Sequence, residues 1–127
     1  MQIDHVALFV RELEPARAFF ERYFAAQAGS LYHNPKTGLS TYFLSFDTDT
    51  RLELMALPTL NDAPGAYPQT GLTHLAFSLG SRQSVDELTT RLSSDGYEVV
   101  SHPRVTGDGY YESCVLGPEG LRLELTV

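Results

Sequence analysis

The chain has 127 residues, 43% hydrophobic and 20% charged, with a formal charge of −7. This is the composition of one globular domain able to bury a core, and the acidic balance excludes the basic patch that nucleic acid or an anionic membrane would require. Cys114 is the only cysteine, which rules out an internal disulfide framework and points to a reducing cytoplasm.

Met1-Gln2-Ile3-Asp4 lacks the basic start of a signal peptide. No apolar run approaches the roughly 20 residues that span a bilayer. Residues 3–10 alternate as a strand, with Val6, Leu8 and Val10 on one face and His5, Ala7 and Phe9 on the other. Pro15 is suited to open a helix, along which Ala16, Phe19, Phe20, Tyr23 and Phe24 form an apolar stripe. Strands are expected at 30–34, 39–46 and 51–57, separated by turns at Asn34–Gly38 and Asp47–Thr50. The first module, about 1–57, is therefore β-α-β-β-β.

Residues 58–71 contain Pro58, Pro64, Gly65, Pro68 and Gly71 and no periodicity, and read as a linker. A second module, about 72–127, repeats the order. A strand at 72–79 leads to a capping box, Ser84-Val85-Asp86-Glu87, which opens a helix with Val85, Leu88 and Leu92 facing inward. Strands follow at 97–105, 109–116 and 121–127, the last two joined by Gly117-Pro118-Glu119-Gly120. The fold class is α+β: a single domain of two tandem βαβββ modules forming a curved mixed sheet around a cavity, helices outside.

The modules also repeat in their text. Asp4-His5-Val6-Ala7-Leu8 matches Thr73-His74-Leu75-Ala76-Phe77, and Arg51-Leu52-Glu53-Leu54 returns as Arg122-Leu123-Glu124-Leu125. Strand parity sets His5, Glu53, His74 and Glu124 opposite the aliphatic rows of their strands. Two buried carboxylates cost several kcal/mol unless neutralised. Two imidazoles and two carboxylates can hold one divalent metal, and mixed N/O donors suit Ni²⁺, Co²⁺, Zn²⁺, Mn²⁺ or Fe²⁺. His33 and His102 lie beside proline-containing turns and read as solvated.

With these residues the chain resembles the vicinal oxygen chelate superfamily, in its glyoxalase I and bleomycin-resistance branch. Gly117-Pro118-Glu119-Gly120 is similar to that family's Asp-Pro-Asp-Gly turn, and His5, Glu53, His74 and Glu124 match its metal quartet. The resemblance implies a homodimer and a lyase or isomerase. Its small substrate would bind the metal through adjacent oxygens and react through an enediolate-type intermediate, with Glu124 as base and Glu53 delivering a proton on the opposite face. Glyoxalase I places an arginine and an asparagine where this chain has Phe9 and Leu57. Those apolar groups cannot hold the γ-glutamyl end of glutathione. A less polar substrate fits a wall of Ala7, Phe9, Phe43, Met55, Leu57 and Cys114.

Three other classes share the resemblance. A metal-free, bleomycin-sequestering type of binding protein usually lacks the quartet. A fosfomycin-type thiol transferase and an extradiol dioxygenase each use two His and one carboxylate, where this chain has a further Glu53. Gly107–Glu112 reads either as a ligand-facing hairpin or as a tight turn, and Cys114 as a small hydrophobe.

Overall fold

The computed structural model describes residues 1–61, 67, 68 and 70–127. Residues 62–66 and 69, within the expected linker, lie outside the described residues. Two compact units make up the chain, Met1–Ala63 and Pro64–Val127.

In the first unit β1 (His5–Phe9) is followed by α1 (Leu13–Phe24), β2 (Gln27–Ala28), β3 (Tyr32–His33), β4 (Ser40–Ser45) and β5 (Arg51–Ala56). The sheet order is β1-β5-β4-β2, with β3 also paired to β4. The β1–β5 pair is parallel and the others antiparallel. Of the strand expected at 30–34 only Tyr32–His33 is formed, and a further short strand, Gln27–Ala28, precedes Gly29-Ser30-Leu31. Gly29 N–H still donates to Phe43 O at 2.9 Å, carrying the ladder into the break.

Helix α1 starts two residues before Pro15. Proline is harmless there because first-turn N–H groups have no partner inside the helix. The helix ends at Ala25, in the left-handed region at φ 52°, whose N–H bonds Phe20 O. Its stripe buries Ala16, Phe19, Phe20 and Tyr23, while Phe24 is half-buried. Against it on the sheet are the fully covered Leu44, Leu52 and Leu54.

The second unit contains β6 (Leu75–Ser78), α2 (Arg82–Ser94), β7 (Val99–Val105), β8 (Tyr111–Leu116) and β9 (Arg122–Thr126). Its sheet order is β6-β9-β8-β7, again with one parallel pair, β6–β9. Pro103 lies in β7, an edge strand, where a missing N–H is tolerated. His102, expected beside a turn, is exposed within the same strand.

Helix α2 opens earlier than the Ser84 capping box predicts. Ser81 is the cap, its Oγ accepting from Ser84 N–H at 3.1 Å. The box motif is real in spelling but sits one turn inside. Val85, Thr89 and Leu92 are the buried residues of the helix, and Leu88 is half-buried. Thr89 is satisfied in the core: its hydroxyl donates to Val85 O at 2.6 Å and meets Ser113 Oγ at 2.6 Å. Ser113, Val115, Leu123 and Leu125 form the covered sheet face, each at 0% exposure.

The architecture is α+β, with two βαβββ modules whose mixed sheets each carry one helix. Among the described residues no helix is long and apolar enough to cross a membrane. Leu54 and Leu125 occupy corresponding core positions, so Leu54→Ala and Leu125→Ala should each cost about 2–5 kcal/mol. In urea unfolding this appears as a lowered midpoint with an unchanged slope.

Candidate functional site

The face of each sheet turned away from its helix is set by alternation. In the first unit, strand pairing places Ala7, Glu53 and Phe43 in one row and Phe9, Met55 and Thr41 in the next. The row on the other side contains His5, Arg51 and Ser45. Ala7, Phe9, Phe43 and Met55 therefore share the face of Glu53, and Leu57 follows directly on β5. His5 Nε2 stands 3.6 Å from Glu53 Oε2. The Glu53 side chain is only 16% exposed, and the Phe43 ring meets the His5 ring edge-on at 5.1 Å.

The second unit repeats the construction. Ala76, Glu124 and Cys114 form one row. His74, immediately before β6, has Nε2 3.6 Å from Glu124 Oε2, whose side chain is 21% exposed. Burial pushes the Cys114 thiol up from its ordinary range, with Arg122 pulling in the opposite direction. The two His–Glu pairs thus have the same separation at corresponding strand positions.

The second ring nitrogen of each histidine is also engaged. His5 Nδ1 is 2.8 Å from Asp4 Oδ1, and His74 Nδ1 is 3.0 Å from Thr73 Oγ1. Hydrogen bonds from His5 and then Arg51 hold the Asp4 carboxyl below its usual range. An Nδ1–H bonded to an oxygen fixes the tautomer that leaves Nε2 as a lone-pair donor.

The donor chemistry fits a divalent cation. Two donors about 2.1 Å from a shared ion can stand no more than about 4.2 Å apart, and each pair, at 3.6 Å, meets that limit. Among the described residues, no three His, Cys, Asp or Glu side chains gather into a group able to hold a metal.

Glu112 is the residue that motif reading did not single out. It occupies the same face of β8 as Cys114, two residues away, and its side chain is 16% exposed. Burial raises its carboxyl above the ordinary value, with the charge of Glu124 and a hydrogen bond to it adding to the shift. Arg104, 3.8 Å away, opposes it. Simple alternation from Cys114 was the available signal.

A two-module βαβββ chain with a His–Glu pair on the open face of each sheet defines a recognisable class of protein. The model of the Glyoxalase/Bleomycin resistance protein/Dioxygenase superfamily matches residues 2–125, and the chain belongs to that family. An uncharacterized protein of Bacillus subtilis, YqjT, is 28% identical over 126 residues, covering 97% of this chain and 96% of its own. The crystal structure of a glyoxalase family protein from Enterococcus faecalis is similar with a TM-score of 0.81 at 25% identity, over 99% of this chain and 97% of that one. A maize glyoxalase I mutant shares the fold, with a TM-score of 0.80 at 19% identity, over 98% of this chain but 44% of the plant enzyme.

The strain on Glu112 has a pH signature. Because its folded-state value is raised, its contribution favours folding below the ordinary carboxylate range and is lost as pH rises through the raised value. In chelator, Glu112→Gln should therefore be better tolerated at pH 7 than at pH 4, measured as the melting-temperature difference from the parent. An equal difference at both pH values would show that Glu112 feels no such strain.

Proposed function

We propose that this protein is a divalent-metal-dependent lyase or isomerase of the glyoxalase I type, acting on a small substrate with adjacent oxygens. The observation that carries the reading is the duplicated His–Glu pair, with its 3.6 Å separation in each unit and an occupied Nδ1 behind each Nε2. Neither pair alone completes a coordination sphere, and it is the family resemblance that assigns His5, Glu53, His74 and Glu124 together as the metal ligands.

A bound divalent ion would supply Lewis-acid polarisation of the two substrate oxygens, making the neighbouring C–H acidic. The chain's own carboxylates then move the proton. Glu124 takes it from the first carbon, and the carbon's electron pair shifts toward the adjacent carbonyl. Glu53, protonated at the outset, gives its proton to the second carbon from the opposite face. The hydroxyl proton passes from the first oxygen to the second, and Glu124 returns its proton to Glu53 through solvent. The net result is an internal redox exchange with no outside oxidant. A carboxylate committed to a cation is a weak base, so Glu124 must be free of it when it accepts the proton.

The apolar residues on the Glu53 face shape the substrate preference. Phe9 and Leu57 offer no hydrogen bond, and a zwitterionic peptide end placed against them would lose its water without replacement. The proposed substrate is accordingly smaller and less polar than a glutathione hemithioacetal. The family resemblance extends the proposal to a homodimer.

Adding Ni²⁺, Co²⁺, Zn²⁺, Mn²⁺ or Fe²⁺ singly to chelator-stripped protein should raise its melting temperature. A ligand at about 100 times its dissociation constant stabilises by about 2.7 kcal/mol. His5→Ala and His74→Ala should each remove most of that response, because each deletes one donor of the same ion. No response to any of the five metals would favour a metal-free small-molecule-binding protein. With a substrate in hand, Glu124→Gln should retain metal-induced stabilisation yet lose turnover by about 100-fold or more. Undiminished turnover would remove Glu124 from the role of base.

A further inference from the structure

The duplication that makes the two His–Glu pairs also makes two arginines, and these have different surroundings. Arg51 lies two residues before Glu53 and Arg122 two residues before Glu124, each on the same strand face as its glutamate. Arg51 is neutralised: it forms an ion pair with Asp4 and lies over the Phe43 ring at 4.9 Å. At the position of Asp4 the second unit has Thr73, which carries no charge.

Arg122 consequently has no carboxylate partner among the described residues. Its guanidinium lies over the Tyr67 ring at 3.7 Å, and one terminal nitrogen is 3.9 Å from Cys114 Sγ. Stacking occupies a face of the guanidinium plane, and a thiol is a weak acceptor. The in-plane N–H fork, which matches a carboxylate in bidentate fashion, is left largely unused. The nearby acids have other engagements: Glu124 faces His74, and Glu112 is bonded to Glu124 with Arg104 beside it.

We propose that Arg122, held flat by Tyr67, is a specificity-determining residue that binds a carboxylate on the ligand. The ligand class is a monoanion with an apolar body and one carboxylate. A phosphate dianion would call for more than a single cation, and Arg122 is the one unpaired cation shown on its face of the sheet among the described residues. The inference deepens the reading given under Proposed function, since it places the anionic end of the substrate two residues along β9 from Glu124. Retaining Arg122 in a chain of net charge −7 gives an anion a local foothold that the overall field would deny it.

The test uses 3-phenylpropanoate and its neutral isostere 3-phenylpropanamide, titrated into the full-length protein by NMR, first in chelator and then with Ni²⁺. In chelator the parent should bind the carboxylate at least fivefold more tightly than the amide. Arg122→Gln should abolish that preference while leaving amide affinity unchanged, Arg122→Lys should keep part of it, and Arg51→Gln should keep all of it. No carboxylate binding at 20-fold excess over millimolar protein, no preference in the parent, or a preference that survives Arg122→Gln would each overturn the assignment. The metal reading fails separately: a preference seen in chelator together with no effect of Ni²⁺ on either ligand or on melting would remove the metal and leave Arg122 in place.

Discussion

Each half of this molecule depends on a sheet with one face sealed by a helix. Leu52 and Leu54 of β5, and Leu123 and Leu125 of β9, point into the covered face and are almost wholly removed from water. With a side-chain period of two, that burial fixes where the residues between them must go. Glu53 and Glu124 are held on the opposite face because moving either strand by one residue would drive a carboxylate under a helix and expose a row of leucines. The hydrophobic constraint thereby sets the register of the polar chemistry, and the 3.6 Å His–Glu separations follow from it in both units.

The same constraint explains what could be read without coordinates. Alternation places Ala7, Phe9, Phe43 and Met55 with Glu53, and Cys114 with Glu124, and the observed strand pairing puts them there. Less legible features depend on local backbone competition. Ser84-Val85-Asp86-Glu87 is spelled like a helix start, yet the helix opens one turn earlier. The structure uses Ser81, with Ser84 donating its N–H to it. The strand expected at 30–34 shrinks to Tyr32–His33, both exposed, where neither burial nor periodicity is strong. Alternation from Cys114 gives the face of Glu112 but not its role, because single charged residues on strands are usually solvent-facing. Its closeness to Glu124 depends on how β8 and β9 pair, which sequence alone does not specify.

The two halves also show how duplication and divergence divide labour. Both keep histidine, glutamate and arginine at matching strand positions, but the residue before the histidine differs. Asp4 fixes the His5 ring and neutralises Arg51 at once. Thr73 can bond the His74 ring but leaves Arg122 with its charge. One substitution between the copies thus separates a structural cation from one available to a ligand, while the imidazole support survives in both.

The parallel pairings β1–β5 and β6–β9 have a consequence for how the molecule becomes competent. His5 and Glu53, like His74 and Glu124, are about fifty residues apart in the chain and meet only across the single parallel ladder of their sheet. Closing so long a loop carries an entropic penalty that is recovered only when the intervening helix and strands have packed. The donor pairs are therefore late products of assembly. A nascent or partly unfolded half would present its imidazole and carboxylate as isolated side chains, and the paired arrangement belongs to the finished sheet alone.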